Sequence, residues 1–112
     1  MKYLVFLTDS VVNDVVEIWK YVAINDSMSA ADSLKNSLKK TISQLALFPG
    51  RGHIPPELEQ LGIEDYKEVH SGPYRIVFTM KEAKVYVIAV FDGRRALQEI
   101  LAQRCINKNF NN

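Results

Sequence analysis

Apolar residues recur along this chain in two rhythms, and the places where the rhythm switches mark out strands and helices. The run "KYLVFL" reads as a short strand that stops at "TDS", where Thr8, Asp9 or Ser10 can accept the unpaired N–H groups of a helix start. Val11, Val12, Val15, Val16, Trp19, Val22 and Ala23 then follow at helical spacing, with Asp14, Glu17 and Lys20 on other faces. "INDSMS" interrupts the pattern and offers Asp26 or Ser27 as a second cap. Ala31, Leu34, Leu38, Ile42 and Leu45 form the stripe of the next helix. The break is short, so the two helices are expected to fold back as a hairpin. Pro49 and Gly50 end the second helix, and Pro55-Pro56 forbid regular pairing in the irregular stretch over 49–65, where "PELEQLG" allows one helical turn.

Strand rhythm returns after residue 65. "DYKEVH" and "PYRIVFTM" flank Ser71-Gly72 and predict a β-hairpin. In its second arm Tyr74, Ile76, Phe78 and Met80 share one face, and Arg75, Val77 and Thr79 the other. "KEAK" makes another turn into "VYVIAVF", apolar enough for a central strand or one covered on both sides. Asp92-Gly93 ends it, and Leu97, Ile100, Leu101 and Cys105 give a last helix its apolar face. The polar "NKNFNN" is expected to fray, over 107–112. The order β-α-α-β-β-β-α describes an α+β fold: an N-terminal strand, an α-helical hairpin packed on a largely antiparallel sheet, and a short C-terminal helix. Residues 1–112 make a single domain, without repeats or a linker.

Composition narrows the class. With 47% apolar and 24% charged residues the chain suits a soluble globular domain. No apolar run approaches the length of a membrane span, and the N-terminal stretch Tyr3–Leu7 is too short for a signal-peptide core. One cysteine excludes an internal disulfide and a cysteine-based metal cluster, which points to a reducing cytoplasm and to core packing for Cys105. The net charge of +1 conceals an asymmetry: residues 1–65 carry −3 and residues 66–112 carry +4, with Arg75, Arg94, Arg95 and Arg104 in the second part. That distribution fits a basic face for an anionic partner, and equally an ordinary solvated surface.

Candidate chemistry gathers around those arginines. Arg75 is expected on the sheet face turned away from the helices, with Arg94 or Arg95 at the end of the neighbouring strand able to reach the same open surface. Converging guanidinium forks suit phosphate or carboxylate. The alternative for Arg75 is a cross-strand pair with a carboxylate such as Glu68. His53 and His70 can each serve as a general acid or base, or simply sit on the surface. No HxxxH or HExxH spacing occurs, so no metal and no cofactor is expected.

The segments "LALFPGRGHIPPEL…GI…YKEVHSGPYRIVF" and "VYVIAVFDGRRALQEILAQR" resemble the RelE/ParE superfamily of type II toxin–antitoxin toxins, from about Thr8 to Arg104. The resemblance implies a small cytoplasmic toxin of the same helical-hairpin-on-sheet fold, neutralised by a cognate antitoxin. RelE-type members cut mRNA on the ribosome without a metal; ParE-type members poison DNA gyrase and are not nucleases. Metal-free RNA cleavage needs a base, cations at the scissile phosphate and an acid. Arg75 and Arg94 or Arg95 match the cationic half of a RelE-type site. The segment after Ala96 has neither Tyr nor His, and Phe110 has no ionisable group, so the proton-transfer half is missing.

The "DGRR…LQ" ending is also more ParE-like. The resemblance therefore implies a gyrase inhibitor with no catalytic residues, in which Arg75, Arg94, Arg95 and Arg104 meet the target. Val11, Val12, Val15, Val16 and Ile18, which spread over more than one face of the first helix, meet the antitoxin. The alternative is a RelE-type ribonuclease acting on mRNA at the ribosome through Arg75, Arg94, Arg95 and His70.

Overall fold

The computed structural model describes the backbone of residues 2–111 and the side chains of residues 2–104. In chain order it holds β1 (Leu4–Leu7), α1 (Asp9–Asn25), α2 (Met28–Gln44), a 3-10 turn at Pro49–Arg51, α3 (Pro56–Glu59), β2 (Lys67–Ser71), β3 (Tyr74–Lys81), β4 (Lys84–Asp92) and α4 (Leu97–Asn111). The architecture is the expected α+β one. The sheet runs β1-β4-β3-β2, with β1 parallel to β4 and the other pairs antiparallel.

Local chemistry explains the helical hairpin. Thr8 caps α1 by accepting from the Val11 N–H (3.3 Å), and Ser27 caps α2 by accepting from the Ala30 N–H (3.0 Å). The Trp19 indole N–H donates to Asp32 (2.9 Å), tying the two helices together. Their stripes pack on one sheet face, where Val11, Leu38, Ile42 and Leu45 meet Ile76, Phe78, Val85, Val87 and Val90. Gly72, at φ 57°, takes the left-handed turn that joins β2 to β3.

The other sheet face is not open. Leu58 of α3 and Leu97, Ile100 and Leu101 of α4 cover Val77, Ala89 and Phe91 there, which makes a second core. The expectation of an exposed arginine face is thereby corrected: α3 and α4 supply the apolar cover that the period-2 pattern of β3 and β4 demands. Central β4 is apolar from Val85 to Phe91, as suits a strand packed on both sides. A bulge beside Val77/Phe78 lets its side chains change faces, so that Val87 lies in the first core and Ala89 in the second. The Cys105 side chain and the tail expected to fray lie outside the described side chains.

The apolar excess of α1 is also resolved. Val11 is fully buried in the first core, which corrects its assignment to a partner surface; its position one turn after the cap aims it at the sheet. Val15 and Ile18 are half-buried, whereas Val12 and Val16 remain 49% and 43% exposed. Leu38→Ala should therefore cost about 2–5 kcal/mol in urea denaturation, and Val12→Ala should stay within about 0.5 kcal/mol of the parent.

Candidate functional site

The β2–β3 hairpin sets three polar side chains on one face. His70 lies opposite Arg75 and Glu68 opposite Val77, so Glu68 sits diagonally across from Arg75. Arg75 donates Nε to Glu68 Oε1 (2.6 Å) and Nη2 to Glu68 Oε2 (3.1 Å). Its far edge donates Nη1 and Nη2 to the two oxygens of Glu57 (2.6 and 2.9 Å), carried in by α3. The guanidinium lies over the Phe91 ring at 5.2 Å from the centroid, and its stem runs past Gly93, where a Cβ would stand 3.3 Å from Arg75 Cγ and Cδ. Arg75 is 9% exposed and Glu68 1%. The cross-strand pair with Glu68 is therefore present, enlarged by a second carboxylate, and Arg75 has no free fork left for a phosphate.

The electrostatics follow from these contacts. Hydrogen bonds from Arg75 hold the Glu57 carboxyl below its ordinary value, against a smaller upward push from burial. Arg75 is shifted further upward, first by Glu57 and then by Glu68, with burial opposing, so it stays charged at every accessible pH.

The loop before α3 adds two more groups. His53 and Glu68 exchange both backbone hydrogen bonds (3.1 and 2.7 Å), an isolated bridge that extends the sheet past β2. Gly52 makes this approach possible: a Cβ there would lie 2.8 Å from the Phe78 ring and 3.1 Å from the Glu68 carbonyl. The bridge brings His53 Nε2 to 3.2 Å from Glu68 Oε2, while His70 Nε2 lies 3.3 Å from Oε1. The two imidazoles stand edge to face, 5.5 Å between centroids. They open onto a groove of about 340 Å³ lined also by Thr41, Gln44, Phe48 and Arg51, the last with its guanidinium 5.4 Å from the Phe48 centroid.

The remaining arginines lie apart from this cluster. Arg104 Nη2 donates to both oxygens of Asp14 (2.7 and 2.8 Å), and Asp14 also accepts from the Val90 N–H, so the pair ties α4 to α1 and β4. Arg94, its side chain 91% exposed, is chelated by Asp92 through Nε and Nη2 (3.0 and 2.8 Å), which holds the Asp92 carboxyl at about 2. Arg95 is exposed in the turn before α4, with its backbone N–H donated to the Asp92 carbonyl. Neither Arg94 nor Arg95 joins Arg75. A shared anion site of strand and post-strand arginines is not formed, because Arg75 turns inward to its two carboxylates. Sequence reasoning missed Glu57 and the meeting of His53 with His70. "EVH" carried a signal, since residues two apart on a strand share a face, but nothing local announced the bridge from residue 53.

The family model for the ParE toxin of type II toxin–antitoxin systems, parDE, matches residues 5–97. The fold is similar to a chain of the chromosomal ParDE system from P. aeruginosa (TM-score 0.68, 11% identity, covering 81% of this chain and 96% of that one). It is also similar to a chain of the RelBE2 toxin–antitoxin complex from Mycobacterium tuberculosis (TM-score 0.54, 17% identity, covering 82% and 92%). No curated protein sequence matches the chain significantly.

Because Arg75 neutralises a buried carboxylate, Arg75→Ala should destabilise the chain by about 3–5 kcal/mol in urea denaturation, whereas Arg94→Ala should leave the midpoint unchanged. The sign of the pH dependence follows from the lowered Glu57 value. Its contribution is complete above the ordinary carboxylate pKa and is lost as pH falls through the lower folded one. The stability gap between the parent chain and Glu57→Gln should be full at neutral pH and narrow progressively as pH falls below the ordinary carboxylate range.

Proposed function

This chain belongs to the ParE toxin family of type II toxin–antitoxin systems, and from that membership we propose that it is a cytoplasmic, non-catalytic poison of DNA gyrase. The observation that carries this reading is the state of Arg75. A ribonuclease of the RelE type would turn the strand arginine toward a scissile phosphate, and here both edges of the guanidinium are occupied by Glu57 and Glu68. The absence of Tyr and His after Ala96 supports the same choice. Arg75 and Arg104, committed to internal pairs, drop out of the target surface. Arg95 becomes its leading residue and Arg94, released only at the cost of its Asp92 chelate, a secondary one.

The antitoxin surface is read from exposed apolar groups. β1 is an edge strand on which Leu4, Phe6 and Leu7 are exposed, and it leads directly into α1 with Val12 and Val16 one turn apart. An edge strand beside an unpartnered helical pair suits a partner that adds backbone pairing and an apolar helix face. Both similar structures belong to toxin–antitoxin systems, which supports a cognate antitoxin as that partner.

A second reading rests on one observation: His53 and His70 stand 5.5 Å apart beside a groove that Arg51 also lines, an acid–base pair with a cation nearby. It would make the chain a ribosome-dependent ribonuclease with His70 and His53 as its proton carriers. Primer extension on translated mRNA separates the two. Codon-specific cuts abolished by His70→Ala would establish the nuclease, and uncut message is the outcome expected here.

The purified toxin should inhibit gyrase supercoiling and trap cleaved DNA. Arg95→Ala should weaken inhibition by roughly tenfold or more if the guanidinium is buried against the target, and Arg94→Ala by less. Unimpaired supercoiling with toxin in large excess over gyrase would reject the assignment. For the antitoxin, Val12→Asp with Val16→Asp should weaken the complex by roughly a hundredfold in biolayer interferometry, about tenfold for each valine taken out of the interface. Val11→Ala should lower stability and leave affinity intact.

A further inference from the structure

Among the described residues, one group of side chains gathers three metal-ligating atoms: Nε2 of His53, Nε2 of His70 and the carboxylate of Glu68, all within 4.8 Å of one another. Each imidazole addresses a different oxygen, His53 at 3.2 Å from Oε2 and His70 at 3.3 Å from Oε1. A tetrahedral zinc ion with bonds of about 2.0–2.1 Å separates its ligand atoms by roughly 3.3–3.4 Å. Whichever carboxylate oxygen serves as the ligand, its edge to one histidine already has nearly that length, and the edge to the other histidine lies within 4.8 Å. The remaining edges must close by no more than about 1.5 Å, within reach of ring rotation because both histidine side chains are half-exposed.

The surroundings are built to hold such an ion. The backbone bridge between His53 and Glu68 fixes the first ligand to the strand that carries the other two, and Glu68 and His70 share a face by their spacing. Arg75 donates one N–H to each Glu68 oxygen, which orients the carboxylate as an outer hydrogen-bond partner does in metal sites. Glu57, Glu68 and Arg75 together carry a charge of −1, so with neutral imidazoles the cluster attracts a dication. The groove alongside both rings is an entry path and leaves room for water as a fourth ligand. A neutral imidazole that carries its proton on Nε2 can donate it to the carboxylate; an ion takes the Nε2 lone pair of the other tautomer, whose proton sits on Nδ1.

We propose that His53, Glu68 and His70 form a binding site for a divalent transition-metal ion, with zinc the best match to two imidazoles and a carboxylate, and that the ion clips the loop carrying His53 onto β2. The site is independent of the gyrase reading, since none of its residues is assigned to the target surface.

Calorimetric titration of zinc chloride into the tag-free, chelator-stripped full-length chain tests it. A single ion per chain should bind, with affinity reduced at least about tenfold in His53→Ala and in His70→Ala. Both variants should keep the parent circular dichroism spectrum, and Cys105→Ser should bind as the parent does. X-ray absorption at the zinc edge should show two imidazole nitrogens and oxygen at about 2.0–2.1 Å. Absence of binding up to millimolar zinc, binding undiminished in both histidine variants, or binding lost with Cys105→Ser alone would overturn the proposal.

Discussion

Arg75 between Glu57 and Glu68 is the contact on which the rest of this molecule turns. A carboxylate as buried as Glu68 is tenable only with a fixed cation beside it, and the guanidinium supplies two N–H groups to it while keeping two for Glu57. One side chain thus joins β3 to β2 and to α3, with Phe91 of β4 beneath it and the Gly93 turn against its stem. The placement of α3 closes the second core, and the position of Glu68 decides where His53 and His70 converge. Removing the cation leaves an uncompensated buried charge, a much larger penalty than the pair's net contribution to stability.

This arrangement separates two surfaces with different chemistry. At one edge of the sheet, β1 and the start of α1 expose apolar side chains (Leu4, Phe6, Leu7, Val12 and Val16), the character of a protein-binding face. At the other, β2 carries His70 and the buried Glu68 carboxylate, and His53 joins them from the preceding loop beside a polar groove. The exposed cation of Arg95 belongs to neither; it stands in the turn that enters α4. A toxin that must be bound by an antitoxin and also engage a target benefits from surfaces that do not share their anchoring residues.

Much of this was legible in the chain. The caps at Thr8 and Ser27, the α2 stripe, the Gly72 turn and the apolar character of β4 are local signals, and each produced the element expected of it. Alternation correctly put Arg75 on the face opposite Ile76 and Phe78. It could not say what covers that face, because α3 and α4 come from an irregular stretch and a helix whose docking depends on distant strands. The same limit hid Glu57, eighteen residues from Arg75, and the bridge from His53 to Glu68. For α1, a run with valines on two faces does not reveal which valine faces the sheet; the cap at Thr8 sets the phase that buries Val11 and leaves Val12 and Val16 outside.

The central claim is that the strand arginine is structural and the toxin acts on DNA topology rather than on message. The most direct measurement is pulse-labelling of cells with thymidine and leucine in the first minutes after expression of the toxin without its antitoxin. Thymidine incorporation falling while leucine incorporation continues is the predicted result. Leucine incorporation collapsing first, with DNA synthesis still running, would contradict the account.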